Sequence, residues 1–184
     1  MKTNLGKTWN PRRLDVRAFA EAGATLQAEL SLTSLKRLLA EIVSDGGGVT
    51  MVAWQARGEM RPGNGGTPGV WMHVQASTDV PLSCQRCLAP VVTRLEVDRW
   101  FRFVADEAMA EAEDDESEED VLALEPRPDL LDLLEDELLM ALPLVPMHEA
   151  CPAPLPAVAD DLDVSPEEPS APPHPFAVLA RLRK

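Results

Sequence analysis

The residues of this 184-residue chain best equipped for chemistry are three cysteines and a histidine. Cys84-Gln85-Arg86-Cys87 sets two thiols across a tight turn just before a strand, which is one half of a zinc knuckle. Further along the chain, His148 and Cys151 repeat the same two-residue gap. Thiolate and imidazole are the ligands that tetrahedral zinc favours, so Cys84, Cys87, His148 and Cys151 predict one structural zinc of the Cys3His type. The plainer alternative is two small thiols flanking a turn and one loop cysteine. A thioredoxin-like redox role fits less well, because Cys84 does not open a helix within a strand-helix-strand unit. Three cysteines cannot all pair within one chain, so no disulfide scaffold is expected, and reduced thiols suit a cytoplasmic setting.

Other chemistries find little support, and the expectation is a protein that is not an enzyme. No nucleophile elbow, phosphate loop or dinucleotide fingerprint is present. His73, in a strand on the face opposite Met72 and Val74, and His174, among prolines, have no acid or nucleophile at motif spacing. Glu135-Asp136-Glu137 has the form of paired carboxylates, but the solvated face of a leucine helix explains it more simply. For phosphate, the candidates are Arg86 on the cysteine turn and Arg94 and Arg102 on one strand face. Glu96 and Asp98 lie among the strand arginines, which favours a mixed solvated face.

These residues need a scaffold, and the hydrophobic pattern outlines one. Ala24, Leu26, Ala28 and Leu30 alternate with polar residues as a half-buried strand does. Leu35, Leu38, Leu39 and Ile42 then mark an amphipathic helix, with Ser31, Thr33 or Ser34 as N-cap and Gly46-Gly47-Gly48 as its end. Two strands, near 49–57 and 70–77, flank a glycine-rich hairpin tip at 61–66. A long strand over 88–103 follows, where Arg99 interrupts the apolar series and implies a bulge or an aliphatic stem beneath an exposed guanidinium. Residues 106–120 hold ten acids and no base, which predicts a disordered linker. Asp129 caps a leucine-rich helix that Pro143 ends. Ten of the 17 prolines lie between 143 and 175, before a short apolar segment, Phe176 to Leu182. Trp71 and Trp100, opposite the apolar series of their strands, need a cover, from the leucine helix or that last segment.

The fold expected is α+β, a single domain with an antiparallel sheet and two packed helices. Residues 1–150 would form the domain, interrupted by the linker at 106–120, and residues 151–184 a proline-rich tail. Composition agrees with a globular interior, at 45% hydrophobic and 26% charged. No apolar run approaches the ~20 residues that span a bilayer, and the N-terminus has no signal-peptide stretch, which predicts a cytoplasmic protein without a membrane partner. Net charge is −14, divided as +4 over residues 1–103 and −18 over residues 104–184. An acidic surface is repelled by phosphate backbones, so DNA is not an expected partner.

Three segments resemble the YceD family, the large ribosomal RNA subunit accumulation proteins. They are LSCQRCLAP at 82–90, DLLEDELLMALPLVPMHEAC ending at Cys151, and the terminal HPFAVLARLRK. The resemblance spans roughly residues 10–184, with the linker and tail alike only in character. It implies a ribosome-biogenesis factor supporting synthesis, processing or stability of the 23S rRNA, without catalysis. The partner implied is the assembling large ribosomal subunit; Glu96 and Asp98 among the strand arginines favour contact through protein partners over direct rRNA contact. A zinc-binding protein–protein adaptor without an RNA role is the alternative. Some relatives carry a CPxCG pattern after the helix; here Cys151-Pro152 is followed by no second cysteine, which leaves His148 to complete the set.

Overall fold

A computed structural model describes residues 8–43, 50–62, 68–114 and 117–152. Among them the elements run α1 (Val16–Glu21), β1 (Thr25–Ser31), α2 (Lys36–Glu41), β2 (Met51–Arg61), β3 (Gly69–Ser83), β4 (Pro90–Val104), α3 (Glu107–Asp114), β5 (Asp120–Ala123) and α4 (Leu130–Met140). The five strands form one sheet in sequence order. Period-two patterning sets its faces: Val52, Trp54 and Ala56 on β2, Val70, Met72 and Val74 on β3, and Leu95, Val97, Phe101 and Phe103 on β4 are buried on one side. Leu130, Leu134 and Leu138 of α4, spaced by four, close the same core with Phe19 of α1 and Leu38 of α2. Each such fully buried leucine or phenylalanine contributes about 1.5–3 kcal/mol.

The α+β domain matches expectation, with four corrections to its parts. First, the sheet is mixed, since β4 pairs with β5 in parallel while the other pairings are antiparallel. A parallel neighbour needs a crossover, and α3 provides it. Second, that helix lies inside the stretch expected to be disordered. Asp106 accepts the Met109 N–H at 3.0 Å, the alanines favour helix, and Ala110 packs with Val104 and Val121 in a second small core. Third, α1 adds a helix that the pattern did not reveal, bringing the α-helices among the described residues to four. It approaches β2 so closely that a Cβ on Gly58 would stand 2.7 Å from the Ala20 Cα.

The fourth correction concerns Glu135 and Glu137, which are buried, whereas Asp136 is exposed. Helix α2 has no side-chain cap of its own; Glu135 accepts the N–H groups of Arg37 at 2.7 Å and Leu38 at 3.1 Å and pairs with the Arg37 guanidinium at 3.2 Å. Of the cap candidates Ser31, Thr33 and Ser34, none caps that helix; Ser31 caps the 3-10 turn Leu32–Ser34 instead. The β3–β4 register is continuous, so there is no bulge. Arg99 lies on the core side between Val97 and Phe101, and its guanidinium reaches out to Asp120.

Helix α4 lies on the core side, so it does not cover Trp71 and Trp100 on the other face. Arg61 does, standing 3.7 Å from the Trp100 ring centre and 4.7 Å from that of Trp71, while His73 stacks on Trp100 at 4.3 Å. The Gly46–Gly48 run, residues 63–67 of the hairpin tip, and Phe176 to Leu182 lie outside the described residues.

Candidate metal centre

Strand β3 ends at Ser83 and β4 begins at Pro90, so Cys84 and Cys87 occupy the turn between two long paired strands. The Cys84 N–H donates to the Ala89 carbonyl at 3.0 Å, and the Leu88 N–H to the Cys84 carbonyl at 2.9 Å. Leu88 is held in the left-handed region, at φ 61°, a conformation that costs a leucine about 1–2 kcal/mol. Beyond α4 the chain passes Pro143 and returns along this turn, where Pro146 accepts the Gln85 N–H at 2.9 Å. That return delivers His148 and Cys151 to the two turn cysteines.

The four ligand atoms of Cys84, Cys87, His148 and Cys151 all lie within 4.8 Å of one another, with Cys84 buried and the rest half-buried. Zinc bonds of ~2.3 Å to sulfur and ~2.0 Å to nitrogen place tetrahedral ligand atoms about 3.5–3.8 Å apart, so modest side-chain adjustment closes the set. Cys87 Sγ and His148 Nδ1 already stand 3.5 Å apart. His148 Nε2 lies 3.0 Å from the Pro90 carbonyl, which can only accept, so Nε2 carries a proton and a bound metal would take Nδ1, the nitrogen that faces the thiols. Arg86 crosses the group from outside. It donates through Nε to Cys151 Sγ at 3.0 Å and through one terminal nitrogen to the carbonyls of His148 at 2.8 Å and Glu149 at 3.3 Å.

Electrostatics divide the thiols. Burial, the largest influence on Cys84, would raise its pKa, but the backbone N–H groups of Cys87, His148 and Arg86 and the His148 side chain bring it down to about 5. Cys87 is raised: the Ala89 amide lowers it, yet burial and the neighbouring Cys151 and Cys84 prevail. One thiolate thus forms readily and discourages the next, a conflict that a divalent cation would remove. With three thiolates bound, such an ion leaves one negative charge in excess, opposite the Arg86 guanidinium. The donor set and its surroundings fit zinc.

The three arginines nominated for phosphate are not gathered into one patch. Arg86 serves the cysteine cluster, while Arg94 and Arg102, on the same face of β4, stand eight residues or roughly 26 Å apart. Arg94 pairs with Asp79 at 3.1 Å and Glu96 at 3.2 Å, and Arg102 with Glu113 at 2.5 Å. His73 has an acid partner that a spacing search misses, because it comes from the neighbouring strand: Asp98 lies 2.5 Å from its Nε2. The His73 hydrogen bond, then that of Gln75, hold the Asp98 carboxyl below the usual carboxylate range. The Arg86 clamp was equally hidden: ligand spacing brings the 148–151 loop to the turn but does not show that Arg86 reaches its carbonyls.

The matched segment contains the whole cluster. Residues 72–183 match the family described as Large ribosomal RNA subunit accumulation protein YceD. The chain belongs to this family. A YceD relative of that same name from Haemophilus influenzae is 37% identical over 115 residues, which cover 62% of this chain and 66% of the relative. No solved structure matches. Among the described residues, no helix of this YceD-family chain is long and apolar enough to cross a membrane.

Proposed function

We propose that this protein is a cytoplasmic, non-enzymatic factor that supports accumulation of the 23S rRNA of the large ribosomal subunit, acting through protein partners of the assembling particle. Membership of the YceD family carries the reading. The internal pairing of Arg94 and Arg102 favours protein partners over direct phosphate contact. Cys84, Cys87, His148 and Cys151 hold one structural zinc, which supplies a rigid tie between the β3–β4 turn and the chain after α4. Arg86 balances its charge and fixes the 148–151 loop.

Two measurements test this reading. Cells lacking the protein are expected to contain less large-subunit rRNA with little change in small-subunit rRNA; an unaltered ratio removes the main claim and leaves the adaptor without an RNA role. Purified protein is expected to hold about one zinc per chain, released by Cys84→Ser. Protein from zinc-supplemented medium that contains none refutes the metal.

A further inference from the structure

Nine large apolar side chains are exposed among the described residues, and six of them fall on two stretches beside the cysteine cluster: Leu88, Val92, Met140, Leu144, Val145 and Met147. Leu144 is 100% exposed and Leu88 76%. Backbone and side-chain hydrogen bonds lace the two stretches together, from Gln85 to Pro146, from Arg86 to His148 and from His148 to Pro90. The apolar groups therefore stand on a braced frame. A connection that only had to follow α4 would gain solubility from polar residues here, and a concentration of exposed aliphatic and thioether side chains marks a surface that meets something.

Charge identifies the occupant. Residues 104–152 hold 17 acids and a single base, Arg127, whose guanidinium is engaged by Asp15. On α4 the exposed Asp132 precedes the exposed Met140 by two turns, with Asp136 between them paired to Arg37, and Glu149 is exposed beyond Met147. A second copy would bring two chains of charge −14 together along the same acidic stripe, and RNA would bring phosphate to it; like charge opposes both. We propose that this surface docks a basic, amphipathic segment of a protein partner, whose aliphatic residues cover Leu144, Val145 and Leu88 while its Lys and Arg face Asp132 and Glu149. The inference rests on the protein-partner reading above and gives that reading a surface.

The test is a fluorescence-anisotropy titration of the full chain with synthetic helical peptides of about 18 residues, five turns. One peptide carries Leu and Lys on opposite faces, a second has Ser for Leu, and a third has Glu for Lys. Leu144→Ser combined with Val145→Ser is the variant, and metal content and unfolding midpoint establish that it is folded. The Leu/Lys peptide is expected to bind the native protein at least tenfold more tightly than it binds the variant, and at least tenfold more tightly than either control peptide binds. Equal binding by native protein and variant overturns the proposal, as does equal binding of the Ser/Lys peptide, which would mean charge alone. A native dimer that the variant dissolves, or tighter binding of a single-stranded RNA oligonucleotide that the variant loses, assigns the surface to another occupant and also overturns it. The rRNA ratio in cells lacking the protein reads the proposed function separately, so either can fail alone.

Discussion

Arg86 shows how much a side chain's work depends on what lands beside it. Its guanidinium touches one thiol and two carbonyls of the same loop, so removing it takes three contacts and one positive charge from the 148–151 segment. Arg86→Leu is expected to weaken zinc retention about 10–100-fold, the usual range for lost partners of metal ligands, as read by competition with a chelator. Unchanged retention would show that Arg86 merely decorates the turn. The clustering of Cys84, Cys87, His148 and Cys151 was legible in the sequence because residue type and two-residue spacing are local properties; the contacts of Arg86 were not, since they are made to carbonyls and a thiol some 60 residues away. Glu137 makes a second case. Burial, only partly offset by Arg99, raises its carboxyl pKa above the ordinary value. A raised folded-state pKa gives stability that is present below the unfolded value near 4.3 and is lost as pH rises through the folded value. Glu137→Gln is therefore expected to raise the urea midpoint at pH 7 and to lose that advantage toward pH 4. An equal midpoint at pH 7 would contradict the burial argument.

Among the elements, α2 depends on a residue far from it in sequence. The N–H groups of Arg37 and Leu38 in its first turn are satisfied by Glu135 of α4, so Glu135→Ala strands one buried and one part-buried donor and is expected to cost about 1–3 kcal/mol in urea unfolding. A loss below about 0.5 kcal/mol would mean that water replaces the carboxylate. Gly58→Ala is expected to cost about 1–3 kcal/mol, because α1 must move off β2 to admit the new methyl group. Neither role can be read from sequence: a glycine in a strand and a glutamate in an acidic run look generic until two elements meet across them. The long antiparallel strands β2, β3 and β4 and helix α4 were legible, since each repeats its apolar period over several turns or alternations. Strand β5 has four residues and one buried side chain, too little for a period to register. Helix α3 was masked by its charges, which outnumber the alanines that make it helical.

At the scale of the molecule, the basic first part and the acidic second part meet in ion pairs across the fold. Arg12 meets Asp129, Arg37 meets Glu135 and Asp136, Arg99 meets Asp120, and Arg102 meets Glu113. Arg94 likewise meets Asp79 and Glu96, so among the described residues the strand arginines of β4 face the protein's own carboxylates. The purified protein is accordingly expected to pass through a polyanion column at about 0.15 M salt, where the Debye length is about 8 Å. Strong retention there would restore a phosphate-binding role for Arg94 and Arg102.

The tie at the cysteine cluster also has a topological consequence. A metal joining Cys87 to His148 would turn the chain between them into a ring that contains β4, α3, β5 and α4, while α1, β1, α2, β2 and β3 remain outside. A bridge of that span restricts the unfolded chain far more than it alters the folded one; for a covalent link the same span corresponds to about 4 kcal/mol of lost loop entropy. A metal bound there would thereby act at a distance from its ligands, as a limit on how far β4 and α4 can drift apart before they refold.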